Sequence, residues 1–181
     1  HGLVLSHCEL GMNTPLSEAN HETINGYRAG AIVEYSTFGR RRDYNDVVDL
    51  GDTSWGEPVP TLRYNVFTGG DDDAIDFDGS AGWIIGNLVM DHYPRPGSAS
   101  NANGGGITGN DGSETVVMNN IVYHCYHGIG YKNECQPLIV NNLVLDCNIG
   151  VTFYQDDCAR GRPGATLYNN IVWNNRDWTT G

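Results

Sequence analysis

Seven aspartates lie in two short clusters of the sequence. Asp46 and Asp49 form the first cluster, and the second comprises Asp71, Asp72, Asp73, Asp76 and Asp78. Carboxylate oxygens are the ligands that calcium prefers, and this ion takes about six to eight oxygen ligands in proteins. The clusters are therefore predicted to hold calcium if the fold brings them together.

A repeated segment indicates how the clusters are positioned. Residues 117–122, 139–144 and 167–172 share an apolar residue, then an Asn, then a second apolar residue at the same spacing. The same register extends back through residues 84–89, 62–67, 33–38 and 5–10, and both apolar columns are kept in every segment. Short strands that recur at a spacing of about 22 residues or more are typical of a solenoid.

A second series of short strands lies between these segments. One inward column of this series contains Val48, Ile75, Ile107, Ile129 and Val151. The two series predict an all-β fold, a right-handed parallel β-helix of about seven coils that forms a single domain over residues 1–181. A β-propeller needs blades of about 40 residues, a leucine-rich repeat needs a Leu-dominated or helical half, and a β-sandwich would show no matching columns.

Neither end of the sequence shows a polar or helical cap. An open coil presents unpaired strand edges, so we expect the chain to be a fragment of a longer solenoid or to associate end to end. Within the coils, the Asn column is predicted to be structural, because Asn tolerates the left-handed backbone of a tight bend and can hydrogen-bond to its equivalent one coil away.

The register also stacks carboxylates. Asp46 lies over Asp73 and Asp49 lies over Asp76, at a strand spacing of about 4.8 Å. Like charges at that distance repel, so a cation is expected to compensate them. The predicted calcium ligands are Asp46, Asp49, Asp72, Asp73 and Asp76. The alternatives are a solvated acidic surface without metal and a calcium ion that only joins neighbouring coils.

Composition limits the partners and the compartment. The formal net charge of −12 argues against nucleic acid and membrane partners. Five cysteines in a Lys-poor acidic chain favour an extracellular or secreted protein. The six histidines show no metal-ligand spacing, so no transition-metal site is predicted.

Two pairs of cysteines are of interest. Cys135 and Cys158 follow equivalent strands of neighbouring coils and are the disulfide candidate. Cys125 and Cys147 share one column, where buried thiols and a bridge are equally expected.

The segment Asp72-Asp73-Ala74-Ile75-Asp76 is similar to the Asp-Asp-x-x-Asp element of parallel β-helix pectate lyases, and most closely to that of polysaccharide lyase family 9. Asp46 stands where that family has an acidic residue one coil earlier. The resemblance implies a calcium-dependent lyase that cleaves an acidic, uronate-containing polysaccharide by β-elimination.

The catalytic base of that family is a Lys in the Gly-rich strand of the next coil. Thr108 occupies the matching position here, within residues 103–109, and a neutral hydroxyl cannot replace the base. The base is therefore not identifiable by resemblance, and whether the chain is an enzyme stays open. Lys132, one coil further on, is the candidate catalytic residue, and its alternative is a solvated surface Lys.

Several side chains are candidates for substrate contacts. Thr108 lies beside the acidic coil, and Tyr93 and Trp55 are candidates for stacking on sugar rings, although such aromatic residues often only cover the core edge. The sequence thus predicts an exported, carbohydrate-associated β-helix that resembles calcium-dependent uronate lyases. The alternatives are a non-catalytic, calcium-stabilised structural or adhesive solenoid and a hydrolase that uses Asp49 and Asp76 as paired carboxylates.

Overall fold

Every pairing between strands of this protein is parallel and joins one coil to the next. The computed structural model describes residues 2–11, 21–98 and 104–176, and these residues contain strands and turns but no helix. Within these ranges there is consequently no helix that could cross a membrane. Twenty strands are distributed over three sheets, in six coils of three strands and a last coil of two.

The strands of each sheet follow one another at every third position along the chain. The first sheet contains β1 (Val4–Ser6), β4 (Ile32–Glu34), β7 (Thr61–Arg63), β10 (Ala81–Ile85), β13 (Glu114–Met118), β16 (Leu138–Val140) and β19 (Thr166–Tyr168). The second contains β2 (Glu9–Leu10), β5 (Thr37–Phe38), β8 (Val66–Phe67), β11 (Leu88–Met90), β14 (Ile121–Tyr123), β17 (Leu143–Leu145) and β20 (Ile171–Trp173). The third contains β3 (Ile24–Tyr27), β6 (Val48–Gly51), β9 (Ile75–Asp78), β12 (Gly105–Asn110), β15 (His127–Lys132) and β18 (Ile149–Tyr154).

The core consists of the apolar columns expected from the sequence. Leu62 pairs with Ile84 in the first sheet, and Phe38 pairs with Phe67 in the second, where their rings stack at 4.7 Å. All four side chains are completely buried. Because side chains of a strand alternate between its two faces, each inward column fills the coil interior while the residues between them face solvent. The parallel β-helix is confirmed, and β3 is a strand that the repeat did not reveal.

A ladder of Asn side chains joins the coils between the first and second sheets. Asn120 Nδ2 donates to Asn142 Oδ1 at 3.0 Å and to the Ile84 carbonyl at 2.9 Å, and Asn120 Oδ1 accepts from Asn87 N and Nδ2. The left-handed backbone does not belong to these ladder residues. It belongs to the residue before each of them, such as Asn119 with φ of 57°. In this bend, Asn119 therefore adopts the left-handed backbone and the adjacent Asn120 forms the ladder.

The predicted disulfide between Cys135 and Cys158 is not formed. Cys135 is completely buried in the hydrophobic core, whereas Cys158 is exposed, and both are free thiols. Cys158 lies in a stretch, residues 154–162, that is exposed throughout, and Asp157, which is the register equivalent of Cys135, is exposed as well. Cys125 and Cys147 are also free and buried, as two thiols stacked in one column.

In the last coil, apolar residues are exposed although their register partners in the preceding coil are buried. Leu167 and Val172 are 43% and 45% exposed, whereas their partners Ile139 and Val144 are at most 1% exposed. End-to-end self-association through such a coil stays a prediction.

The Asn ladder yields a prediction about stability. Asn120→Ala should lower the free energy of unfolding by at least about 2 kcal/mol, because buried donors of Asn87 and the buried Ile84 carbonyl lose their partner. Urea denaturation measures this change. The matched control is Asn119→Gly, which suits the left-handed backbone and should change stability by less than about 0.5 kcal/mol. Equal losses in the two variants would contradict a ladder-specific role.

Candidate functional site

The outer face of the third sheet carries a pocket of about 300 Å³. One side of the pocket is acidic and is formed by Glu22, Asp46, Asp49, Asp72, Asp73, Asp76 and Asp78. The other side is formed by residues of β12, β15 and β18, among them Thr108, His127, Lys132 and Tyr154. Six coils thus contribute to a single concave surface.

Strand pairing places the acidic residues. Asp49 of β6 is the register partner of Asp76 of β9, and both project outward because their neighbours Val48 and Ile75 are buried in the core. Asp46 and Asp73 precede these two strands, and the Asp73 backbone N donates to Asp46 Oδ1 at 3.1 Å. The predicted stacking of both pairs is confirmed.

Two groups of carboxylates have the geometry of a cation site. One oxygen each from Asp46, Asp72 and Asp73 lie within 4.8 Å of one another, and the same holds for Glu22, Asp46 and Asp49. The donor set consists of hard oxygen ligands and suits calcium rather than a transition metal.

Three carboxylate oxygens in this pocket are buried without a hydrogen-bond partner among the described residues. They are Oδ1 of Asp49, Oδ1 of Asp73 and Oδ1 of Asp78. A buried acceptor that forms no hydrogen bond costs free energy, and a buried charge costs more unless it is paired. A cation held by these oxygens would remove that cost, so the residues fit a calcium ion.

The pKa values of the pocket aspartates are raised, as expected for negative charges that are not compensated. Burial, and then repulsion from neighbouring carboxylates, raises the pKa of Asp49 and of Asp76 to about 6 and that of Asp78 to about 7. Burial and the facing carboxylates raise the pKa values of Asp46 and Asp73 well above the usual range. Without a cation, the cluster therefore retains protons near neutral pH.

Asp71 shows that burial alone does not determine the direction in which the pKa of an aspartate is shifted. This carboxylate is completely buried, but it accepts hydrogen bonds from Arg95 Nε at 2.9 and 2.8 Å, from Arg40 Nη2 at 3.2 Å and from the Asp43 backbone N at 2.9 Å. Burial raises the pKa of Asp71, but these partners outweigh burial and hold it below the usual value. Asp71 is thus compensated by protein groups, and it does not line the pocket.

Thr108 bridges two of the acids. Its hydroxyl lies 2.8 Å from Asp73 Oδ2 and 3.0 Å from Asp76 Oδ1. The neighbouring Gly105 permits this arrangement, because a Cβ there would lie 2.6 Å from Thr108 Cγ2 and 2.7 Å from Asp73 Oδ1. Thr108 therefore lines the pocket as predicted and orients two acidic side chains.

Lys132 also lines the pocket. Its Nζ is 3.8 Å from Asp156 Oδ2, and the side chain is 33% exposed. Burial lowers the pKa of Lys132, but Tyr154, Asp76 and Asp73 raise it, and the net effect is a raised pKa. Lys132 is thus a protonated cation that faces the acidic side.

Neither candidate aromatic contact lies in the pocket, and stacking of these rings on a sugar stays a prediction. Trp55 follows β6 in a loop and packs edge-on against Trp83 of the first sheet at 5.4 Å. Tyr93 follows β11 and stacks on His124 at 5.8 Å. Loops that leave the coil are not placed by the repeat, and these two rings cover the outside of other sheets or bends.

The sequence analysis missed two groups on the far side of the pocket, His127 and Tyr154. The register contained the necessary signal. His127 pairs with Gly105, which continues the column of Asp73, and Tyr154 pairs with Lys132. Glu22 was also missed, because it precedes the unrecognised strand β3.

The structure therefore defines a parallel β-helix with a cation-compatible pocket on one sheet. In a comparison with family models, residues 19–180 match the family described as the right handed beta helix region. The chain belongs to this family. No curated protein and no solved structure gives a significant match.

The raised pKa values predict a pH-dependent effect of calcium. A carboxyl group whose pKa is about 4 in the unfolded chain and about 6 in the folded chain destabilises the metal-free protein increasingly as pH rises between these values. Thermal melting should thus show that the gain in Tm on replacing EDTA with calcium grows from about pH 5 to about pH 7. Asp76→Asn should reduce this gain, and Asp52→Asn, at an exposed site outside the pocket, should leave it unchanged. A gain that is independent of pH would argue against this interpretation.

Proposed function

We propose that this protein is a calcium-dependent polysaccharide lyase that binds an acidic, uronate-containing polysaccharide in the pocket of the third sheet. The observation that carries the proposal is the presence, in one pocket, of three buried carboxylate oxygens without hydrogen-bond partners among the described residues, together with the cation Lys132. The likeness of residues 72–76 to the lyase element supports it. An extracellular location, where such polysaccharides occur, is part of the proposal.

The ligands follow from the geometry. Asp46, Asp72 and Asp73 would hold calcium, with Asp49 and Asp76 on the neighbouring positions of the same face. When bound, calcium supplies a positive charge that binds the uronate carboxylate and increases the acidity of the adjacent carbon-bound proton. Lys132 contributes a second positive charge on the opposite side of the pocket.

Charge complementarity limits the substrate class. The acidic side would repel a polyanion without bound cations, so binding of a polyuronate must depend on calcium. The pocket volume of about 300 Å³ and its open face on the sheet are suited to a short stretch of an extended polysaccharide chain.

One observation favours a non-catalytic role. Thr108 occupies the position expected for a Lys base, and it hydrogen-bonds to the two acids instead. In this second candidate function, calcium joins the coils of a structural or adhesive solenoid. Calcium would then raise Tm without any turnover.

The proposal predicts calcium-dependent cleavage of at least one of polygalacturonate, alginate and chondroitin. Ultraviolet absorbance of the unsaturated product should increase with time in calcium and stay constant in EDTA. Asp73→Asn should weaken calcium binding by about 100-fold or more, because it removes a charged ligand, and should abolish product formation.

Asp52→Asn is the matched control, since Asp52 lies outside the pocket and pairs with Arg28 at 3.7 Å. Its calcium affinity and product formation should equal those of the wild type. Calcium binding without any unsaturated product would favour the structural solenoid, and the absence of calcium binding would exclude both functions.

A further inference from the structure

We propose, on the basis of the proposed β-elimination, that His127 is the catalytic base, because β15 places its imidazole in the pocket, two coils from Asp73 and on the same strand as Lys132. The resemblance to known lyases offers no base at this position. The inference comes from the register of the third sheet and from the side chains that surround the ring.

The outward column places His127 relative to the cation ligands. Asp73, Gly105 and His127 occupy equivalent positions of three successive coils. At the usual strand spacing, two coils correspond to about 10 Å between the backbones of Asp73 and His127. Gly105 is buried because the Thr108 and Asp73 side chains cover it, so a sugar residue between Asp73 and His127 would lie over these two side chains.

Gly130 enlarges this space from the other side. A Cβ at Gly130 would have its nearest contacts at 3.4 Å from Thr152 Cγ2, 3.8 Å from His127 Cβ and 3.9 Å from Thr108 Cγ2. The pocket floor is thus flat between the acidic residues and the imidazole. A ligand held at the acidic side can therefore extend over Thr108 and Gly130 toward His127.

Two aromatic rings orient the imidazole. Tyr126 lies 5.0 Å from it at an angle of 58°, and Tyr154 of β18 lies 6.4 Å from it at 50°. The His127 side chain is half-buried, and no group of the described residues hydrogen-bonds to its ring. Its nitrogens are therefore free to accept a proton from a ligand.

The charged and titratable groups around the ring support this role. Burial lowers the pKa of His127, and the nearby Lys132 on the same strand lowers it further. Tyr126 and Tyr154 flank the ring, and Asp73, which precedes β9, and Asp76 of β9 face it across β12. His127 is thus neutral near pH 7, whereas Lys132 is protonated. Two neighbouring groups with pKa values shifted in opposite directions are typical of an acid and base pair.

Other groups of the pocket do not suit the role. The carboxylates of Asp46, Asp72 and Asp73 are the predicted calcium ligands. The Thr108 hydroxyl is engaged by Asp73 and Asp76. Lys132 carries a proton and cannot accept another.

The proposed step balances without a further reactant. His127 removes the proton from the carbon next to the uronate carboxylate, and the electrons of that C–H bond form the new C=C bond. The bond between the neighbouring carbon and the glycosidic oxygen breaks, and the leaving oxygen takes a proton from the Lys132 ammonium. Exchange with water then returns His127 and Lys132 to their starting states.

The test compares His127→Gln with His124→Gln, a histidine of the same coil that lies outside the pocket and binds Asp91 at 2.7 Å. Calorimetry measures calcium binding, and ultraviolet absorbance measures the cleavage of polygalacturonate, alginate and chondroitin. His127→Gln should bind calcium as the wild type does and lose kcat by about 100-fold or more, since general bases contribute factors of this size. His124→Gln should retain full activity.

Two further measurements separate a catalytic role from a structural one. At saturating calcium and substrate, kcat of the wild type should rise with pH through a pKa below about 6.5, and this rise should be absent in His127→Gln. Added imidazole should restore part of the activity of His127→Ala.

The measurements distinguish a failure of the base assignment from a failure of the proposed function. If the wild type does not bind calcium, the proposed function itself is overturned. If His127→Gln is fully active, or if its kcat rises with pH as that of the wild type does, the assignment of the base is overturned and the lyase activity stands. A wild type that binds calcium but yields no unsaturated product from any of the three polysaccharides would overturn the inference.

Discussion

In-register stacking of parallel coils places each residue next to its equivalents, and the rest of the structure depends on this constraint. For Asn the result is favourable, because its side chain both donates and accepts, and Asn65 to Asn170 form a continuous ladder. For Asp the result is unfavourable, because an ionised carboxylate only accepts. The stacked carboxylates of Asp49 and Asp76 therefore need a proton or a cation between them.

The pocket is asymmetric along the helix axis. Carboxylates of β6 and β9 and of the residues that precede β3, β6 and β9 form one side, Thr108 and Gly130 lie in the middle, and His127, Lys132 and Tyr154 form the other side. Asp71 is adjacent in sequence to these carboxylates but has two arginine partners, which lower its pKa while burial raises the others. Asp49, Asp73 and Asp78 of the pocket instead each keep one buried oxygen without a hydrogen bond within the described residues, which is consistent with a cation site.

The parts of the fold that could be predicted are those that the repeat determines. Alternation of apolar residues placed Ile75 and Ile107 in one column, and the same register brought Asp46 and Asp73 together. Segments outside the repeat could not be placed, and for this reason the positions of Trp55 and Tyr93 could not be predicted.

Other misses have a different physical origin. Cys135 packs in the hydrophobic core, whereas Cys158 lies in a stretch that is exposed throughout, and the repeat does not determine the burial of such loops. His127 was in register with the acidic column, but Gly105 interrupts the column and hides the relation in the sequence. Burial, which sets the protonation of His127 and Lys132, depends on neighbours from several coils and has no sequence signal of its own.

Calorimetric titration with calcium at about pH 6, in two buffers with different ionisation enthalpies, tests whether a cation compensates the stacked carboxylates. At this pH the carboxyl groups of Asp49, Asp76 and Asp78 are partly protonated, so calcium must displace protons. We expect binding with a net release of protons, seen as different heats in the two buffers. Identical heats, or no binding, would contradict a calcium site built from these residues.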